Sequence, residues 1–106
     1  MSKVTADQVR EQLEEIVTGR EDFKYIPPGG GDCAYSYEGE PSCLIGHLFH
    51  RYYPELFEQV KDSASNSGTS VNDVDNILEV FTWDAVDYMV DVQCAQDDGH
   101  RWGTVI

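Results

Sequence analysis

The run from Trp83 to Asp98 constrains this chain most. On a wheel of roughly 100° per residue, Asp84, Asp87, Asp91 and Asp98 share a sector about 60° wide, while Trp83, Ala85, Val86, Tyr88, Met89, Val90, Val92 and Ala95 fill much of the remainder. A helix apolar over so much of its circumference has to be enclosed by other elements. The spacing therefore predicts a central helix, capped by Thr82 and ended by Gly99, with one acidic ridge reaching solvent.

The other elements follow from their own periodicities. Thr5 and Gln8 have capping-box spacing, and Val9, Leu13, Ile16 and Val17 recur at helical intervals, so a one-sided helix is expected over 5–18 with Gly19 as its stop. Phe23, Tyr25 and Ile26 form a candidate short strand, and Pro27-Pro28-Gly29-Gly30-Gly31-Asp32 reads as a connector, since no helix start or lysine follows to make it a phosphate cradle. Cys33 to Glu38 alternates, with Cys33, Tyr35 and Tyr37 on one face, and Glu38-Gly39-Glu40 turns the chain.

Pro41 suits a first helical position, so a core helix is expected over 41–53 with Leu44, Ile45, Leu48, Phe49, Tyr52 and Tyr53 inward and Gly46 allowing a close backbone approach. Pro54 restarts the chain as a short helix burying Leu56, Phe57 and Val60. After a Ser/Asn/Gly loop, Ser70 and Asp73 open a helix with the stripe Val74, Ile77, Leu78 and Phe81, and the tail from Arg101 to Ile106 is open to forming a strand. The fold class expected is α+β: a single domain over 1–106, mostly helical with four to five helices, and a short β-hairpin or small sheet. At 106 residues there is room for one core only.

Charge narrows the function classes. Twenty acidic residues face seven basic ones, a formal net charge of −13, and no Lys or Arg occurs between Lys61 and Arg101. Such a surface repels phosphate, so direct binding to nucleic acid or to an anionic membrane is not expected. Met-Ser-Lys-Val-Thr lacks an apolar signal core and no apolar run approaches a membrane span, so a cytoplasmic location is expected. Three cysteines fit reduced thiols better than a disulfide framework.

Two chemical constellations stand out. Cys43, His47 and His50 lie at i, i+4 and i+7 along one helix edge, a spacing that would grip zinc if Cys33, Cys94 or His100 completed a tetrahedron. The bland alternative is boundary cysteines packed as small hydrophobes and histidines facing water, and it is preferred, so no metal and no cofactor is assigned. Cys43 near a helix start with His47 one turn on also resembles a nucleophile and base, but no oxyanion hole or orienting third group accompanies them, and no catalytic residue is assigned. The ridge Asp84, Asp87, Asp91 and Asp98 is the candidate partner-binding surface. Carboxylates along a rigid helix also imitate the charge of nucleic-acid phosphates.

Gly39-Glu40-Pro41-Ser42-Cys43-Leu44-Ile45-Gly46-His47 and Gln96-Asp97-Asp98-Gly99-His100-Arg101-Trp102-Gly103 resemble a Gly-x-Pro-Ser-Cys-Leu-Val-Gly core and a Gln-Asp-x-Gly-x-x-Trp-Gly ending found in small uncharacterised proteins of actinobacteria and their bacteriophages. The resemblance covers about a sixth of the chain and brings no catalytic residue with it. It implies a phage accessory protein made in the bacterial host cytoplasm. The expectation is a non-enzymatic acidic protein that binds and modulates a host protein. The alternatives are a nucleic-acid mimic inhibiting a DNA-binding host protein and a zinc-binding domain.

Overall fold

Helix α5, Trp83–Asp97, is the element on which the others converge. It buries Ala85, Val86, Met89, Val92, Gln93 and Gln96, and packs against four further helices: α1 (Ala6–Val17), α2 (Leu44–Tyr52), α4 (Ile77–Val80) and α6 (Trp102–Val105). The computed structural model describes residues 3–26, 34–61, 63, 66 and 70–106. The other elements are a hairpin of β1 (Ser36–Tyr37) and β2 (Glu40–Pro41), helix α3 (Pro54–Lys61) and a 3-10 turn, Val71–Asp73. The architecture is α+β and mostly helical, as the periodicities predict, with six α-helices among the described residues where four to five were expected, the tail supplying the last.

Helix α1 starts as its sequence requires. Gln8 N donates to Thr5 Oγ1 and Thr5 N to Gln8 Oε1, so two otherwise orphaned donors are satisfied reciprocally. Val9, Leu13, Ile16 and Val17 are buried, and the chain leaves the helix through Gly19 at φ +84°. Ahead of the helix, Val4 N donates to Val80 O and Thr82 N to Val4 O, which ties the start of α1 to the start of α5. The Thr82 hydroxyl accepts from Ala85 N and caps α5.

The hairpin corrects two expectations. Glu38 and Gly39 both have positive φ, at 53° and 84°, the geometry of a two-residue turn matched to strand twist, and Ser36 pairs with Pro41. Pro41 thus lies in β2, and Cys43 occupies the helix cap, so α2 begins three residues later than the proline suggested. The alternation is also broken: Ala34, Tyr35 and Ser36 are all buried, while Tyr37 is 52% exposed.

Asn66 provides the reason. Its Oδ1 accepts from Ser36 N and Oγ, its Nδ2 donates to Ser36 O, and its carbonyl accepts from Tyr35 N. This loop residue acts as a second strand partner and holds both faces of the segment inside. Cys33 and the Pro/Gly connector before it lie outside the described residues.

The stretch after Ser70 buries Val74, Ile77 and Phe81 as expected, but not as one helix. The chain makes a 3-10 turn, passes through Asn76 in a left-handed conformation (φ 65°), and then forms the four-residue α4. Asn72, Asp73, Asp75 and Asn76 compete with the helical backbone and tolerate such turns, and the apolar spacing alone could not show this.

The tail is likewise not a strand. A single antiparallel bridge joins Arg101 to Lys24, and α6 follows, with Trp102 N donating to Phe23 O and Gly103 N to Glu21 O. A line of rings, Tyr35 on Phe49, Phe49 near Phe81 and Phe81 edge-on to Tyr53, runs through the core.

Candidate functional site

The exposed face of α5 is built by the same packing that buries its opposite side. With Ala85, Val86, Met89, Val92, Gln93 and Gln96 inward, the 3.6-residue repeat leaves Asp84, Asp87, Asp91 and Asp98 outward, and all four are exposed. From Asp84 to Asp98 the ridge rises about 21 Å along the axis. Among the described residues the ion pairs join Arg10 to Glu14, Arg51 to Glu15, Lys61 to Glu58 and Arg101 to Asp22. The ridge takes part in none of them. Its like charges at i, i+3 and i+4 repel by roughly a few tenths of a kcal/mol per pair, and among the described residues no Lys or Arg forms an ion pair with them.

Two further residues share the face. Trp83 is 68% exposed, and Cys94 is an exposed free thiol between Asp91 and Asp98. The wheel places Trp83 about 40° from Asp87, yet its apolar character assigned it to the enclosed side. Its place at the first turn of the helix, beyond the packed length of α5, leaves it in solvent. The ridge is therefore a mixed acidic and aromatic surface.

The Cys/His edge does not converge. Cys43 is fully buried as the cap of α2, its Sγ accepting from Gly46 N at 3.3 Å, so its sulfur is out of reach of a substrate. The His47 ring stands edge-on to Trp102 at 5.4 Å, and the His50 ring edge-on to Phe57 at 4.9 Å. Each side chain has a different neighbourhood, and among the described residues no three His, Cys, Asp or Glu side chains form a group able to hold a metal.

His47 is perturbed for a structural reason. Burial, then the charges of Arg20 and His50, lower its pKa to about 4, against an opposing hydrogen bond to the Ser42 backbone. The Arg20 guanidinium lies 5.6 Å from the centroid of the Trp102 ring that His47 also touches. Because the unfolded imidazole titrates near 6.5, the unfolded chain binds more protons between roughly pH 6.5 and 4. The stability His47 contributes is complete above that window and lost as pH falls through it. The site is half-buried, so solvent screening reduces the loss to about 1–2 kcal/mol. Urea midpoints measured from pH 7 to pH 5 should fall more steeply in the native protein than in His47→Gln; parallel profiles would contradict this account.

Sequence reading missed two buried glutamines on α5. Gln96 Oε1 accepts from Leu44 N at 2.7 Å, and Gln93 bridges Val71 N and the Tyr35 hydroxyl at 3.0 and 2.9 Å. Gln93 is 6% exposed and Gln96 1%. They clamp the start of α2, the 3-10 turn and the hairpin approach onto the central helix. The stretches 39–47 and 96–103 thus lie against one another, through Gln96 on Leu44 and Trp102 on His47.

No protein family model matches the chain, and neither does any curated protein or any solved structure. Among the described residues, no helix is long and apolar enough to cross a membrane.

Proposed function

We propose that this chain is a non-enzymatic binding protein whose contact surface is the outer face of α5, with Asp84, Asp87, Asp91 and Asp98 as the charged contacts and Trp83 as an aromatic anchor. The observation that carries this reading is a ridge of four exposed carboxylates with no ion-pair partner among the described residues, next to a tryptophan left 68% exposed. Tryptophan and arginine dominate binding energy at protein interfaces. An arginine of the partner stacks on Trp83 while its guanidinium pairs with Asp87 one turn on, which desolvates both. In the setting that the actinobacteriophage resemblance implies, the partner is a basic host protein in the bacterial cytoplasm.

A nucleic-acid mimic is the second reading, motivated by four exposed carboxylates carried on one rigid helix. The partner's basic surface would then be a DNA-binding cleft. Capture from host lysate at low and at high salt tests the main reading. A specific partner retained at about 50 mM salt and released at about 0.5 M is expected, because charge pairs at a solvated rim are screened over that range. Recovery of no specific partner at either salt would overturn it. Displacement of the captured partner by duplex DNA separates the mimic from a surface elsewhere on the partner.

A further inference from the structure

Where α2 passes into α3, a cavity of about 460 Å³ opens toward α4, within the size range of small-ligand sites. Tyr52, Tyr53 and Leu56 give it aromatic and apolar walls, and Glu55 and Glu79 bring carboxylates from α3 and α4. Both glutamates are exposed, and among the described residues neither has an ion-pair partner and no Lys, Arg or His lines the cavity.

We infer that this cavity binds the guanidinium group of an arginine side chain from a partner peptide. A planar, weakly hydrated cation stacks on a phenol ring and meets carboxylates with a fixed fork of N–H donors, whereas a lysine ammonium is a compact, strongly hydrated point charge that gives up more hydration to do the same. The chain already makes this contact internally at the edge of the cavity. The Arg51 guanidinium lies 5.4 Å from the centroid of the Tyr52 ring, with Nη2 3.6 Å from Glu15 Oε2, while Arg51 itself does not line the cavity. The amino end of α3 opposes a cation, and Glu55 in its first turn offsets that positive end. The site shares no residue with the α5 ridge, so either reading can fail without the other.

A titration followed by amide NMR tests it, with N-acetyl-arginine amide, N-acetyl-lysine amide and N-acetyl-norleucine amide as the probes. Saturable shifts are expected at Tyr53, Glu55, Asn76 and Glu79, with the arginine amide bound about fivefold tighter than the norleucine amide, as one stacking contact and one exposed ion pair together imply. Glu55→Gln with Glu79→Gln should lower that affinity about two- to threefold, the share of the ion pair, and leave the stacking contact in place. Asp84→Asn with Asp87→Asn should leave it unchanged. The replaced residues are all exposed, so the same spectra verify the fold. Equal binding of the norleucine or lysine amide, shifts scattered over the acidic surface, or an undiminished affinity in the doubly substituted cavity would each overturn the inference.

Discussion

Gly46→Ala is expected to destabilise the protein by about 3 kcal/mol or more, a large share of what holds a domain of this size together. On an exposed helix the same change would stabilise by about 1 kcal/mol through helix propensity. Here a Cβ would overlap the Tyr35 carbonyl oxygen and come within 2.8 Å of its carbon and 3.0 Å of its Cα. Those atoms are backbone and cannot rotate away.

Tyr35 is itself fixed. Its N–H donates to Asn66 O, its carbonyl accepts from Ser42 N, and its hydroxyl accepts from Gln93 Nε2. Relief would require moving the hairpin approach off α2, with loss of the Tyr35–Phe49 stack. Urea denaturation measures the change. A neutral or stabilising alanine would show that the segment and the helix are not in contact.

Gln96→Leu is expected to cost about 2 kcal/mol, although it replaces a polar side chain in the core by an apolar one of similar size. The helix start at Leu44 has few acceptors, since Cys43 Sγ serves Gly46 N and the Gln96 side-chain oxygen Oε1 serves Leu44 N. Leucine removes that acceptor and leaves a buried N–H without one, and a buried donor left unmet costs roughly 1–3 kcal/mol. Urea denaturation gives the loss, and hydrogen exchange locates it: the Leu44 amide should exchange faster in the variant by more than global destabilisation explains. Unchanged stability and unchanged Leu44 exchange would mean that α5 does not cap α2.

These two positions show how far the sequence was legible. Local signals read well: the Thr5–Gln8 capping box, the Thr82 cap and the stops at Gly19 and Gly99 depend on neighbours within one turn, and all are present. The buried side of α1 and the central place of α5 follow from periodicity. Most of what failed depends on a partner far along the chain. Pro41 permits a helix start but also an edge strand, and its pairing with Ser36 decided between them. The alternation of 33–38 could not reveal Asn66, thirty residues from Ser36, holding Ser36 inside. Leu78 and the residues around it have helical spacing, yet Asn76 breaks the helix in two.

The candidate site was legible in part for the same reason. Four aspartates in one arc of a helix follow from spacing, and their exposure follows once the opposite side of α5 is packed. Trp83 was misassigned because an apolar side chain at a helix end can be buried or bare depending on whether another element reaches it. The histidines were ambiguous because i, i+4, i+7 spacing fixes an edge but not the direction of each ring: His47 meets Trp102 and His50 meets Phe57.

The central claim is that the α5 carboxylates bind a basic partner, and the most direct test is the affinity of the captured partner for the native protein and for Asp84→Asn, Asp87→Asn, Asp91→Asn and Asp98→Asn combined. Removing four charges while keeping side-chain shape should weaken binding at about 50 mM salt by tenfold or more, flatten its salt dependence, and leave the free protein as stable or slightly more so as ridge repulsion is relieved. Equal affinities with parallel salt dependence would contradict the account and reduce the ridge to a solubilising surface.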